Sequence, residues 1–151
     1  MPVKPKQLSD GIWIAEQVLP DQVVDLKARG FHAIVDLRPD GEEPVQPSSA
    51  EMDGAARANG LAFTYLPVGH GDIPLLAVDT LQQTLDHSVR PVLLYCRSGR
   101  RAARTWAMAE AKRTGGLDAE QIVRAVASAG QSADDLLSDI QLRVAARSAS
   151  P

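Results

Sequence analysis

One segment of the chain, PVLLYCRSGRRAARTWAMAEAKRTG at residues 91–115, constrains the fold more than any other. Its apolar start, Val92 to Tyr95, predicts a buried strand, and Cys96 follows at the carboxyl end of that strand. A short turn rich in arginine then leads into a helix-forming stretch over residues 101–113. A strand, a tight cationic turn and a helix N-terminus together form an anion pocket, because the first amides of a helix have no partner within it.

The cysteine at the mouth of this pocket is the candidate nucleophile. Backbone amides and arginine side chains favour the thiolate, which is the form of cysteine that reacts. We therefore predict that Cys96 and Arg101 are catalytic, and that an anion is bound by the loop between them, which consists of Arg97, Ser98, Gly99 and Arg100. The alternative for a lone cysteine is a buried structural thiol, with the arginines forming a solvated cationic face.

The rest of the chain alternates between strand and helix patterns. Strands are predicted at 12–16, 32–38, 61–67 and 92–95, and helices at 20–29, 48–59, 75–87, 101–113, 118–129 and 132–146. This alternation predicts an α/β fold with a mainly parallel central sheet of four or five strands flanked by helices. We expect a flexible leader over residues 1–10, a single domain over 11–146 and a tail over 147–151.

Three loops follow predicted strands and should meet at one edge of the sheet. In parallel α/β sheets, ligands bind beyond the carboxyl ends of the strands. This rule brings together the loops at 38–43, 68–72 and 96–101. Besides the cysteine loop, they offer Arg38, Asp40, His70 and Asp72 as possible contributors to the site. Each of these four also has a simpler interpretation as a turn or loop residue, or as a partner in a surface ion pair.

Composition excludes several classes of function. With 23% charged residues and a net charge of -3, the chain is not expected to bind nucleic acid or a membrane. No apolar stretch approaches the ~18 residues of a membrane span, and the N-terminus lacks a signal-peptide core, so we expect a cytoplasmic protein. A single cysteine and three scattered histidines suggest no metal site, and no cofactor is predicted.

Two chemistries suit a thiolate in such a loop, and the loop length separates them. Cysteine phosphatases attack phosphorus, whereas rhodanese-type sulfurtransferases accept a sulfane sulfur as a cysteine persulfide. The phosphatase pattern places five residues between the cysteine and its arginine, whereas this chain has four, and Ala102 stands at the phosphatase arginine position. Because a smaller ring suits one sulfur atom better than a phosphoryl group, the count favours sulfur transfer from thiosulfate or a persulfide to a thiol acceptor.

A phosphatase remains the alternative interpretation. Cleavage of a phosphate monoester needs a general acid for the leaving alkoxide, and Asp72 lies on a loop from which it could act. Sulfur transfer needs no such acid, because sulfite and thiolates are good leaving groups. A third possibility is a non-catalytic thiol or anion sensor, in which Cys96 acts only as a switch.

With these residues in view, the chain resembles the phosphatase-like domain of the beta-lactamase hydrolase-like proteins, a bacterial family also labelled sulfur transferase. The resemblance covers about residues 8–142, and its most specific parts are RPDGEEPVQPSSAEM, YCRSGRRA with the helix after it, and AVASAGQSADDL. The VGHGDIPLL segment departs from the more glycine-rich loop of many relatives. That departure leaves the roles of His70 and Asp72 open.

The resemblance carries its own expectations about fold, site and partners. It implies a dual-specificity-phosphatase-like α/β fold with a short, rhodanese-like loop. It also implies that Cys96 is the nucleophile and that the loop through Arg101 is its anion cradle. Relatives are often fused to, or encoded beside, a metallo-β-lactamase-type sulfur dioxygenase. A separate enzyme of that type is therefore a candidate partner, alongside a small anionic sulfur or phosphate substrate and a thiol acceptor.

Overall fold

A five-stranded sheet forms the centre of the molecule, a computed structural model in which residues 2–148 are described. The strands are β1 (Lys6–Ser9), β2 (Ile12–Ala15), β3 (Ala33–Asp36), β4 (Ala62–Tyr65) and β5 (Val92–Tyr95). The helices are α1 (Val23–Ala28), α2 (Ser49–Ala58), α3 (Leu75–His87), α4 (Arg100–Lys112), α5 (Ala119–Ser128) and α6 (Leu137–Ser148). Single 3-10 turns at Pro20–Gln22 and Asp134–Leu136 precede α1 and α6.

The sheet order is β1-β2-β5-β3-β4. β2, β5, β3 and β4 run parallel, and β1 pairs antiparallel with β2 at one edge. The predicted α/β fold with a mainly parallel sheet of four or five strands is therefore confirmed. The strand that ends at Cys96 lies between two parallel neighbours, so the loops that follow β2 and β3 flank the cysteine loop.

Side chains that alternate along the strands build a hydrophobic core on each face of the sheet. On one face, Val92 and Leu94 pack with residues of α3, α4, α5 and α6. On the other face, Leu93 and Tyr95 pack with residues of α1 and α2. Because both faces of β5 are covered, all four of its residues are buried, which fixes the position of the loop that follows it.

The start of α2 shows how the sequence directs a helix boundary. Ser48 Oγ accepts a hydrogen bond from the backbone N–H of Glu51 at 3.1 Å, and Glu51 Oε1 accepts one from the N–H of Ser48 at 3.3 Å. This reciprocal pair is the capping box that the sequence predicts at this point. It anchors α2 directly after the loop that carries Arg38.

The predicted flexible leader, 1–10, extends too far into the folded domain, and the predicted tail, 147–151, begins too early. Residues 6–9 form β1 rather than a flexible leader, because Gly11, at a φ of 75°, allows a tight turn into β2 and Leu8 is buried against the core. Arg147 and Ser148 belong to α6 rather than to a tail. The remainder of the predicted tail, 149–151, lies outside the described residues. Across residues 2–148, no helix combines the length and apolar character needed to cross a bilayer.

Candidate active site

Cys96 is the first residue after β5, and its thiol is enclosed by the loop that follows. The backbone N–H of Gly99 donates a hydrogen bond to Cys96 Sγ over 3.2 Å, and the cysteine has no exposed surface. Gly99 has a φ of 93°, in the left-handed region that disfavours residues with a side chain. A Cβ at this position would stand 3.3 Å from Gln131 Nε2, so both the backbone and the space call for glycine.

Neighbouring segments bind the cysteine loop from outside. The backbone N–H of Gln17 donates to the carbonyl of Arg97 at 3.2 Å, and Gln131 Nε2 donates to the carbonyl of Ser98 at 3.0 Å. These bonds use the first two carbonyls of the turn, while the Gly99 N–H donates to the sulfur. The loop is therefore held in a shape that presents a donor to an anion on Cys96.

Arg101, in the first turn of α4, is buried where the three predicted loops meet. Its guanidinium donates to Glu42 at 2.6 Å and 2.9 Å, and to the carbonyl of Val68 at 2.9 Å. The pKa of Arg101 is raised, mainly by the hydrogen-bonded Glu42 carboxylate and also by Cys96. The meeting of the 38–43, 68–72 and 96–101 loops agrees with the position of binding sites in parallel sheets.

Arg38 is a second buried guanidinium at the same place. Its Nε donates to Glu42 Oε1 at 2.9 Å, and its Nη1 donates to Gln17 Oε1 at 3.0 Å. The pKa of Glu42 falls to about 2, chiefly because of its hydrogen bond from Arg101, with Arg38 adding to the effect. Glu42 is thus an ionised carboxylate shared by two buried arginines, and it cannot serve as a general acid near neutral pH.

The other predicted contributors are placed less centrally. His70 Nε2 lies 3.7 Å from Glu42 Oε2, with the side chain 73% exposed. Asp72 is exposed and lines a groove with Arg104 and Asp135. The structure does not bring Asp40 to the thiol, because its carboxylate accepts hydrogen bonds from the N–H and hydroxyl of Ser49 at the start of α2, each at 2.7 Å.

The remaining members of the loop face outward. Arg97 and Arg100 are exposed, and Arg97 forms an ion pair with Glu43 at 3.1 Å. Ser98 Oγ accepts a weak hydrogen bond from the N–H of Arg100 at 3.4 Å. Among residues 2–148, no group of three or more histidine, cysteine, aspartate or glutamate side chains could hold a metal ion.

Sequence reasoning missed several residues that shape the site. Gln17 follows β2 and so leaves the same edge of the sheet as Cys96, which is a signal that could have identified it. Gln131 lies in the turn after α5, and no strand pattern points to it. The carbonyl of Val68 also contributes, but a backbone atom leaves no mark in the sequence.

A parallel strand, a cysteine-bearing loop and a helix with a buried arginine in its first turn define an α/β protein of the cysteine-phosphatase type. The fold is similar to that of a candidate phosphatase from Neisseria meningitidis, with a TM-score of 0.78 and 27% identity over 91% of this chain and 96% of that one. It also resembles the core catalytic domain of the yeast PP-IP phosphatase SIW14, with a TM-score of 0.66 and 14% identity over 100% of this chain and 97% of that domain. The second likeness concerns the fold alone.

The chain belongs to the family described as beta-lactamase hydrolase-like protein, phosphatase-like domain, whose model matches residues 6–113. It is 34% identical over 103 residues to a beta-lactamase hydrolase-like protein of Xylella fastidiosa (strain Temecula1), covering 68% of this chain and 24% of that protein. A protein of the same description from Agrobacterium fabrum is 32% identical over 109 residues, covering 72% and 25%. The matched region thus spans about a quarter of these relatives, and the family resemblance expected from the sequence is confirmed.

Proposed function

We propose that the chain is a cysteine-dependent sulfurtransferase of rhodanese type, with Cys96 as the carrier of a sulfane sulfur. The observation that carries the proposal is the length of the loop, which has four residues between Cys96 and Arg101. The next position, where a phosphatase would have its arginine, is Ala102, which is fully buried in the core. We infer that a ring of this size accepts one additional sulfur atom more readily than a phosphoryl group, with the Gly99 amide as a donor to the sulfur.

The reaction balances without an added oxidant or reductant. The Cys96 thiolate attacks the outer sulfur of thiosulfate, and a new sulfur–sulfur bond forms while the bond to the sulfonate sulfur breaks. Sulfite leaves with the electron pair, and the enzyme is left as a Cys96 persulfide anion. A thiolate acceptor, or cyanide in an assay, then attacks the terminal sulfur and releases the original thiolate.

The loop residues have distinct roles in this proposal. The Gly99 N–H and the positive end of α4 stabilise negative charge on the persulfide. Arg101 attracts the anionic donor and stays charged throughout, because its pKa is raised. No proton donor is required, since sulfite and thiolates leave as anions. This suits a site in which the Asp40 carboxylate is bound to Ser49 and Asp72 lies on an exposed groove.

A cysteine-dependent phosphatase is the second candidate, and the similar proteins favour it. The named structural neighbours are phosphatases or candidate phosphatases, and the family model is described as phosphatase-like. None of them gives direct support to sulfur transfer. In this alternative, the Cys96 thiolate attacks the phosphorus of a phosphate ester and the bond to the ester oxygen breaks. The leaving alkoxide or phenoxide takes a proton from an acid such as Asp72 and departs as the alcohol, and water then hydrolyses the phosphocysteine.

The partners follow from the proposed chemistry. We propose a small thiol or a protein thiol in the cytoplasm as the sulfur acceptor. A separate metallo-β-lactamase-type sulfur dioxygenase is proposed as the enzyme that consumes the resulting persulfide. The relatives from Xylella and Agrobacterium extend well beyond the matched region, which is compatible with such a second activity.

A side-by-side assay separates the candidates. Sulfur transfer from thiosulfate to cyanide and phosphate release from an aryl phosphate are measured on the same preparation. Sulfur transfer is expected for the wild type, with loss in Cys96→Ser and no loss in Asp72→Asn. Phosphate release that depends on both Cys96 and Asp72, without sulfur transfer, establishes the phosphatase instead. Inactivity in both assays leaves the sensor as the remaining interpretation.

A further inference from the structure

The carboxylate of Glu42 is bound in the way that a small anionic ligand would be. Its Oε1 accepts hydrogen bonds from Arg38 Nε and Arg101 Nη2, both at 2.9 Å, and its Oε2 accepts one from Arg101 Nη1 at 2.6 Å. Arg38 is 4% exposed and Arg101 is 6% exposed. Buried charges of this kind are weakly screened by solvent, so each guanidinium needs an anion beside it.

One N–H donor of the two buried arginines has no acceptor. Arg38 Nη2 is buried and has no hydrogen-bond partner. It lies 3.8 Å from Glu43 Oε1, which is too long for a hydrogen bond. A carboxylate has only two oxygens to share between the two arginines. An oxyanion with three or four oxygens could also satisfy this remaining N–H, which otherwise stays buried at a cost.

The same contacts hold the 38–43 segment against the cysteine loop and the first turn of α4. Cys96 has no exposed surface. Glu42 holds the 38–43 segment against Arg101, and Glu43 holds it against Arg97 at 3.1 Å. Departure of the Glu42 carboxylate frees hydrogen-bond donors on both buried guanidiniums at once.

We propose that Arg38 and Arg101 form a binding site for one small oxyanion. Glu42 fills this site in the structure, and the substrate occupies it by displacing Glu42. The identity of the ligand, though not the site itself, rests on the proposed function. For sulfur transfer, the ligand is the sulfonate group of a thiosulfate-type donor, whose charge lies one bond from the sulfane sulfur. In a persulfide donor, the negative charge can lie farther from the sulfane sulfur. Such a donor displaces Glu42 less effectively than thiosulfate, so it is the poorer sulfur donor.

Alkylation of Cys96 with reagents of different charge tests this site without turnover. The rate constants are measured with anionic iodoacetate and with neutral iodoacetamide, and their ratio is compared between proteins. Glu42→Gln keeps the size of the side chain but removes the competing charge. The iodoacetate-to-iodoacetamide ratio is expected to rise about tenfold, whereas a general loosening of the loop accelerates both reagents alike.

Asp135→Asn provides the matched control. Asp135 also forms a two-point pair with an arginine of α4, Arg104, at 2.7 Å and 2.9 Å. Asp135→Asn removes one negative charge from a two-point pair with an arginine, as Glu42→Gln does, and it should leave the iodoacetate-to-iodoacetamide ratio unchanged. Arg38→Gln, which removes one of the two proposed guanidinium ligands, should lower the ratio below that of the wild type.

Protection by inorganic sulfate supplies a test on the unaltered protein. Sulfate should slow the reaction of wild-type Cys96 with iodoacetamide in a saturable way, and it should bind more tightly to Glu42→Gln. An absence of protection in the wild type overturns the proposed site. So does an unchanged alkylation ratio in folded Glu42→Gln, or an equal rise in Asp135→Asn. A protein that shows these effects but transfers no sulfur contradicts the proposed function and leaves the site standing.

Discussion

Asp36 is a buried carboxyl group at the end of β3, opposite Tyr95 in the neighbouring strand. Burial raises its pKa to about 6, even though its Oδ1 accepts a hydrogen bond from the backbone N–H of Arg38 at 2.8 Å. Burial raises the pKa of Tyr95, and the Asp36 carboxylate adds to this effect. This pair lies directly beneath the loops of the site, so its protonation state bears on the stability of the region that holds Arg38.

The stability of the protein should therefore depend on Asp36 between about pH 4 and pH 6. The folded protein favours protonated Asp36, so this contribution is complete at low pH and is lost as the pH rises through about 6. We expect Asp36→Asn to remove this decline, and to raise the free energy of unfolding near neutral pH by up to about 3 kcal/mol. Urea unfolding across this pH range is the measurement. The control is Asp53→Asn, which alters a carboxylate on the outer part of α2, and a slope unchanged by Asp36→Asn contradicts the assignment.

At the scale of elements, α4 determines the position of the cysteine loop, because different contacts hold each of its two ends. Its first turn follows the cysteine loop and carries Arg101, while residues 101–111 are buried among α3, α5 and α6. At its other end, Arg147 of α6 donates hydrogen bonds to the carbonyls of Glu110, Ala111, Arg113, Gly116 and Leu117. The helix is thus fixed at both ends, which keeps the loop in register with β5.

The hydrogen bonds donated by Arg147 should make a measurable contribution to the free energy of unfolding. Removing a guanidinium that satisfies several carbonyls at a helix C-terminus leaves those acceptors without a partner, so Arg147→Ala should lower the free energy of unfolding by about 2 kcal/mol. Arg147→Lys keeps the charge but not the planar array of donors, and should give a smaller loss. Denaturant unfolding measures both variants. If Arg147→Ala is as stable as Arg143→Ala, a change one helical turn earlier, the contact has no such role.

The conformation of Gly99 makes a second prediction at this scale. In Gly99→Ala, the φ of 93° is strained, and the new Cβ also meets Gln131 Nε2 at 3.3 Å and Ala15 O at 3.6 Å. We expect a loss of about 1–3 kcal/mol in stability together with loss of Cys96 reactivity, because the loop must change shape. Gly30→Ala is the control, since Gly30 has a φ of 94° but open space around it. Equal effects of the two variants would show that contact with Gln131 is unimportant.

At the scale of the whole molecule, the parts of the fold that follow a periodic pattern could be predicted from the sequence. The predicted bounds of α3 and β5 agree with the structure, because an amphipathic helix and an apolar run each leave a clear signal. Strand β1 could not be found in this way, since its residues, KQLS, are mostly polar and it is held by pairing with β2. Arg147 was missed because its partners lie at the far end of another helix.

In the site, too, some features could be predicted from the sequence pattern, whereas others depend on tertiary packing. Cys96 and the meeting of three loops follow from strand order, since the carboxyl ends of parallel strands share one edge. The partner of Arg101 does not follow, because the RPDGEEP segment offers Asp40, Glu42 and Glu43, and only the folded loop selects Glu42. Sequence places the nucleophile, whereas tertiary packing decides which charges surround it.

Mass spectrometry of the intact protein after incubation with thiosulfate tests most directly whether Cys96 carries sulfur. The short loop and the Gly99 amide lead us to expect a mass gain of one sulfur atom in the wild type. The gain should be absent in Cys96→Ser and should be reversed by cyanide or a thiol. A protein that gains no sulfur from thiosulfate or from a persulfide, yet forms a phosphoryl adduct on Cys96 with an aryl phosphate, contradicts this account of the site.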